Sequence, residues 1–356
     1  MAEQNQTITQ TQQTLDPDIL VQIKDLRTYF YLAEGVVHAV DGVNMTMRRQ
    51  ETLGIVGESG CGKSISAYSM LRLVPSPGKI VGGDILFNRT PKTGNTNQVE
   101  TINLTKLDPN GKEIRSIRGN YISMVFQEPM TAMSPVRTVG QQIGEAIMLH
   151  QKVSKEEARN QTIEILRRVR MANPERVVDD YPFQLSGGMR QRAVIAMALS
   201  CRPSLLIADE PTTALDVTTE AQILNLMRDL RDEFGMAIMY ITHNLGVIAE
   251  MADNVAVMYM GRVVEQTDVN SIFYNPLHPY TQGLLQSIPQ LSDAVTRSEH
   301  QRLQVIKGMV PDPYSRLKGC PFHPRCPKFI AGVCDELEPA PLTPEPGHMV
   351  RCHLYN

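Results

Sequence analysis

Residues 57–64 read Gly57-Glu58-Ser59-Gly60-Cys61-Gly62-Lys63-Ser64, the spacing G-x-x-x-x-G-K-[ST]. That spacing suits a phosphate cradle. Glycines 57, 60 and 62 let the backbone curl without Cβ clashes, so its N–H groups point inward at phosphate oxygens. Ser59 and Cys61 contribute through their backbone. Lys63 can reach the β and γ phosphates, and the Ser64 hydroxyl can bind Mg2+. Ile65 opens the helix whose positive dipole end completes the cradle. Two acids, Asp209 and Glu210, follow the apolar run Leu205–Ala208. Asp209 would hold Mg2+ through a water, and Glu210 would orient or deprotonate an attacking water. His243 follows the apolar run Met236–Ile241, where its imidazole can meet the γ-phosphate edge. Gln127 follows Ile122–Phe126, where its amide can touch both Mg2+ and the nucleophilic water.

A second anion-binding feature is spelled by Leu185-Ser186-Gly187-Gly188-Met189-Arg190-Gln191-Arg192. Ser186 is a good helix N-cap, and Gly187 and Gly188 leave backbone N–H groups exposed. One nucleotide needs only one cradle. The second helix start therefore implies a sandwich in which this segment grips a nucleotide held by another subunit.

These groups need a sheet to position them. From about Ile19 to Gln266, strand-like apolar runs alternate with helical patterns, which indicates a mostly parallel sheet with covering helices. Runs such as Thr52–Val56 and Leu205–Ala208 have the texture of buried parallel strands. The ends of such strands deliver side chains to the ligand-binding edge of an open α/β sheet. Glu128–Pro182 is mostly helical and forms an inserted subdomain. Asn88–Glu100, with Asn, Thr, Gly and Pro, is expected to be a surface loop. From Asp268 onward, proline becomes frequent and the pattern irregular. No internal repeat is present.

Composition limits the function further. A net charge of −3 over 356 residues argues against a dedicated nucleic-acid binder. No apolar run reaches the roughly 18 residues of a membrane span, and the Gln/Thr-rich start (Met1–Thr14) lacks the apolar core of a secretory signal. The chain is expected to be cytoplasmic, with a disordered tail and membrane contact only through partner subunits. Four of its six cysteines, Cys320, Cys326, Cys334 and Cys352, crowd the last tenth of the chain. In a reducing compartment such clustering favours metal binding over disulfides.

In their order along the chain, the cradle, Gln127, the 185–192 segment, Asp209/Glu210, Thr213-Ala214-Leu215-Asp216 and His243 resemble an ABC-transporter nucleotide-binding subunit. The resemblance implies an α/β P-loop NTPase core with an antiparallel β subdomain and a helical subdomain at about 128–184, together forming an ABC ATPase domain at 19–267. A tail (1–18) precedes it, and a loop-rich extension (268–356) follows. It also implies ATP and Mg2+ as ligands. Phe30 matches the family's adenine-stacking aromatic, with Tyr29 and Tyr31 as neighbours that compete for the role. Ser186, Gly187, Gly188 and Gln191 would touch the nucleotide of a homologous second ATPase subunit.

The extension resembles oligopeptide, dipeptide and nickel importers. Asn275–Leu285 matches the segment after the ATPase in that family, and Gly319–Pro327 carries Cys320 and Cys326. The resemblance implies the D-type ATPase of a peptide system, a heterodimer with the second ATPase, two membrane permease subunits and, indirectly, an extracellular or periplasmic peptide-binding protein. It also implies a [4Fe–4S] site on the four cysteines. Four thiolates can ligate a cubane, one per iron, but can equally make tetrahedral zinc or stay free or disulfide-bonded. Nickel or another small solute is the alternative cargo. A soluble, non-transport ABC ATPase is the remote one, since such chains usually carry tandem cassettes or a long coiled-coil insertion.

Overall fold

The computed structural model describes residues 15–92, 99–127, 132–213, 215–287, 306–315 and 317–356. The expected tail at 1–14, the middle of the 88–100 loop, the start of the helical insertion at 128–131 and Ala214 lie outside them.

The chain opens with two long strands, β1 (Ile19–Leu32) and β2 (Gly35–Arg48). The short buried β3 (Thr52–Val56) then leads through the phosphate loop into α1 (Lys63–Met70). Next come β4 (Gly78–Arg89), β5 (Glu100–Asn103), α2 (Lys112–Ile117) and β6 (Ile122–Val125). Three helices follow: α3 (Val139–Gln151), α4 (Lys155–Arg168) and α5 (Pro174–Val177). Thr138 and Gln141 close a capping box at the start of α3.

The core resumes with α6 (Gly187–Leu199), β7 (Leu205–Asp209), α7 (Val217–Phe234), β8 (Ala237–Ile241), α8 (Leu245–Met251), β9 (Asn254–Tyr259) and β10 (Arg262–Asp268). The extension adds α9 (Val269–Tyr274), α10 (Pro279–Gln286), β11 (Leu342–Glu345) and β12 (His348–Val350).

Two sheets result. One is antiparallel, in the order β2-β1-β4-β5. The other runs β11-β12-β10-β9-β3-β8-β7-β6, with β9, β3, β8, β7 and β6 parallel. The parallel strands are buried on both faces, so they read as continuous apolar runs. Their alternation still sorts side chains into two cores. Leu205, Ile207, Met239 and Ile241 face the core shared with the antiparallel sheet and α1. Leu206, Ala208, Ile238 and Tyr240 face the core shared with α6, α7 and α8.

One expectation fails on detail. Asn88, expected on a loop, is fully buried in β4. Its amide donates to Asp16 O (3.0 Å) and Ile19 O (2.8 Å), an interior role that a polar side chain can fill only when paired. The extension, loop-rich as expected, also carries two short strands. β12 pairs with β10 and so lengthens the core sheet. Behind that junction, the fully buried Glu265 accepts from Leu277 N (2.7 Å), His278 N (2.9 Å) and His348 Nε2 (2.7 Å), tying the extension to the cassette.

Candidate nucleotide site

The cradle lies between β3 and α1. Gly62 adopts φ 99°, and a Cβ there would meet Ala39 O at 2.1 Å, so only glycine fits. Gly57 is equally constrained, with a Cβ position 2.2 Å from Met258 O. Lys63 is buried, and its Nζ donates to Gly57 O (2.8 Å) and Glu58 O (3.1 Å), which folds the ammonium back over the loop. Ser59 and Gly60 are exposed, and Ser64 and Ile65 are half-buried. Burial pushes the Cys61 thiol up despite nearby Lys63, which leaves a poor nucleophile at pH 7.

Parallel strands bring the remaining groups to the same edge. Ser64 Oγ donates to Asp209 Oδ1 at 3.0 Å, and the buried Asp209 Oδ2 has no partner among the described residues. Burial pushes the Asp209 carboxyl up, and Glu210 adds to the rise, while Ser64 and Lys63 oppose it. An orphaned carboxylate oxygen beside a serine hydroxyl fits a Mg2+ site, in which the cation would relieve the desolvated charge.

Glu210 is the meeting point of the site. It follows β7 with φ 45°, an uncommon backbone for a non-glycine residue, and its N–H donates to Ile241 O at 2.9 Å. Its Oε2 accepts from Gln127 Nε2 (3.1 Å) and Thr213 Oγ1 (3.2 Å), and its Oε1 faces His243 Nδ1 (3.1 Å). Gln127, Glu210 and His243 come from the ends of β6, β7 and β8, which lie side by side.

The second helix start has the opposite character. Ser186 is exposed and caps α6, accepting from Met189 N at 3.3 Å. Gly187 is exposed, and Gly188 packs so near Thr219 that a Cβ would lie 2.9 Å from Cγ2. Gln191 departs from expectation. It is fully buried, so it does not face an outside nucleotide, because the inward face of α6 turns it into the core. Its two amide atoms are without a partner among the described residues.

Of the three neighbouring aromatics, Tyr29 packs at a tilt against His38 (4.0 Å between rings) and donates to Asp41 Oδ1 (2.7 Å). Phe30 is half-buried, close enough to Gly78 that a Cβ there would meet its ring at 2.7 Å. Tyr31 is exposed, with Lys79 over its ring at 6.0 Å.

Cys320, Cys334 and Cys352 are buried and Cys326 is half-buried. Burial pushes the Cys320 thiol up to about 12, and Cys352, Cys334 and Cys326 add to the rise. Among the described residues, no three His, Cys, Asp or Glu side chains converge as they would around one metal ion.

Residues 40–213 match the family model of ABC transporters, and residues 264–334 match that of the oligopeptide/dipeptide transporter C-terminal region. A probable peptide ABC transporter ATP-binding protein of Sinorhizobium fredii is 50% identical, covering 95% of this chain and 96% of its own. The chain belongs to the ABC transporter ATP-binding subunits, in their oligopeptide/dipeptide branch. Other members of this ABC family are also similar. The oligopeptide transport ATP-binding protein AppD of Bacillus subtilis is 48% identical over 94% of this chain and 97% of its own. OppD of Salmonella typhimurium is 43% identical over 97% and 96%. A dimeric ATP-binding cassette in a post-hydrolysis state with ADP and Pi superposes with TM-score 0.59 at 26% identity, covering 70% of this chain and 99% of that one. The fold is thus the ABC ATPase fold, and the chain is an ABC-type ATPase. No helix among the described residues is long and apolar enough to cross a membrane.

Sequence reasoning missed one group in this ABC subunit that touches the cradle. Glu58 is held by Arg325 and Tyr280 of the extension. Position 58 is unrestricted in the motif, and the arginine lies between two cysteines that draw attention to themselves.

Proposed function

We propose that the chain powers import of oligopeptides or dipeptides, hydrolysing ATP at a site shared with a homologous ATPase subunit. The observation that carries the hydrolytic part is the convergence of Gln127, Thr213 and His243 on Glu210, beside a buried Asp209–Ser64 pair. Lys63 and the N–H groups of 59–64 bind the phosphates. Ser64, Gln127 and Asp209 would hold Mg2+, which would supply positive charge to offset the charge developing on the transferred phosphoryl group. Glu210 orients the attacking water and accepts its proton, while His243 and Gln127 fix the direction of its carboxylate. Ser186, Gly187 and Gly188 close over the γ-phosphate of the partner's nucleotide. Phe30 stacks on the adenine. Hydrolysis then releases the closed pair, and the helical insertion passes the movement to two permease subunits at the cytoplasmic face of the membrane. The second ATPase makes the pair a heterodimer.

The peptide cargo is supported by the extension, whose sequence matches the oligopeptide/dipeptide C-terminal region, and by the names of the relatives. Selection of cargo falls to an extracellular or periplasmic binding protein. Uptake of a labelled oligopeptide by vesicles holding the assembled transporter tests this reading. ATP-driven uptake that stops with Glu210→Gln supports it. Transport of Ni2+ with no peptide uptake contradicts it.

The C-x5-C-x7-C-x17-C run of four cysteines, three of them buried and Cys326 half-buried, supports a second assignment, a [4Fe–4S] cluster on Cys320, Cys326, Cys334 and Cys352 with a structural role. Iron and acid-labile sulfide in anaerobically purified protein are the expected result. Zinc alone overturns it.

A further inference from the structure

Glu58 occupies a position that the phosphate-loop motif leaves unspecified, yet all its polar groups are engaged. Its N–H donates to Tyr280 OH at 2.9 Å. Its carbonyl accepts from Lys63 Nζ (3.1 Å) and from Cys61 N (3.3 Å). Its carboxylate receives two parallel bonds from Arg325, Nη1 to Oε2 at 2.7 Å and Nη2 to Oε1 at 3.0 Å. Such a fork fixes both position and orientation.

The arginine itself is rigid. Its side chain is 4% exposed, its Nε donates to Lys307 O (3.3 Å), and its guanidinium lies 5.9 Å from the Tyr259 ring centre. Tyr259, Tyr280 and Phe322 pack on one another with ring centres 4.7–5.4 Å apart. Tyr280 and Arg325 both belong to the extension, and Arg325 directly precedes Cys326.

Charge gives this contact a consequence for the ligand. An unpaired carboxylate in the phosphate loop would repel a triphosphate, and part of that repulsion would persist through the poorly screened interior. Arg325 neutralises it. Tyr280 meanwhile accepts the Glu58 N–H and so holds the first turn of the loop.

We propose that Arg325 and Tyr280 are positioning residues for the phosphate loop, so that the cysteine-bearing extension sets the affinity of the cassette for ATP. The proposal rests on the reading that residues 57–64 bind the nucleotide phosphates. Neither residue touches the reacting atoms, so the effect falls on binding and leaves the chemical step nearly intact.

The test is equilibrium titration of the full chain with Mg-ATP, together with steady-state ATPase kinetics of the assembled transporter. Arg325→Ala is expected to weaken ATP binding and raise KM by roughly tenfold, the size of one charge-assisted hydrogen bond, with kcat at saturating ATP within about twofold. Adding Glu58→Gln removes the stranded carboxylate and should return the affinity to within roughly threefold of the parent. A purely structural arginine gives no such rescue. Arg325→Lys keeps charge without the fork and should weaken binding by roughly threefold, which covers an Arg325→Ala chain that does not fold. ATP affinity unchanged in both arginine variants, or unrestored by Glu58→Gln, overturns the proposal. Lys63→Ala is the control. If it weakens binding while the arginine variants do not, only this inference falls. If it too leaves binding intact, the cradle reading itself falls.

Discussion

Two helices of this molecule start where an anion can bind, and they are built in opposite ways. α1 begins without a side-chain cap, on a glycine at φ 99°, with its lysine buried and already bonded to the loop. α6 begins with an exposed serine that caps its own helix and two glycines behind it. The first is closed by its own chain, since β3, β7 and β8 of one sheet deliver Ser64, Asp209, Glu210 and His243 around it. The second starts with Ser186 and Gly187 exposed. The contrast teaches that α1 gathers its neighbours from its own chain, whereas α6 leaves its start exposed, which supports our proposal that a partner's nucleotide completes it. The post-hydrolysis cassette that this chain resembles is itself a dimer.

The largest expected effect bears on the finished half. Glu210→Gln should lower kcat by roughly 100- to 1000-fold while ATP affinity stays within about threefold, because the amide keeps the hydrogen bonds but accepts no proton. Loss of nucleotide binding in an equilibrium titration of this variant would remove Glu210 from the role of base.

Ser186→Arg separates the two helices. Turnover of the assembled transporter should fall by about 100-fold, while ATP binding to the isolated chain stays within about twofold. Weakened binding in the isolated chain would mean that α6 serves its own nucleotide, and the contrast would be lost. Lys63→Ala should do the reverse, weakening ATP binding in the isolated chain by roughly tenfold or more.

The smallest effect concerns stability. Burial raises the Asp209 carboxyl above its unfolded value, the reverse of the usual acidic case. Its ionised form is therefore penalised in the fold. The favourable contribution is complete below the unfolded value and is lost as pH rises through the folded one. Asp209→Asn should raise the melting temperature at pH 7 without nucleotide by a few degrees, and by less at pH 4, while Mg-ATP hydrolysis falls. A lower melting temperature at pH 7 would show that the carboxylate is stabilised as an anion.

Much of the nucleotide site was legible because each group sits at a fixed offset from an apolar run. Asp209 and Glu210 close β7, His243 follows β8 by two residues, and Gln127 follows β6. Parallel neighbours in one sheet bring such strand ends together whatever loops intervene. Gln191 was misplaced for a reason of helical phase. A motif read as a string ignores which face each position occupies, and α6 is apolar enough on its inner face to draw position 191 into the core. Arg325–Glu58 and Glu265–His348 were not legible at all. The first pair is 267 residues apart and the second 83. No local period links such partners, and β12 is only three residues long.

A structure of the assembled transporter, trapped with Mg-ATP by Glu210→Gln, measures directly whether two chains share each nucleotide. The expected result places Ser186 Oγ at hydrogen-bonding distance, about 3 Å, from the γ-phosphate held by the partner's loop. A closed, ATP-loaded assembly with Ser186 in solvent and both nucleotides sealed by their own chains would contradict it.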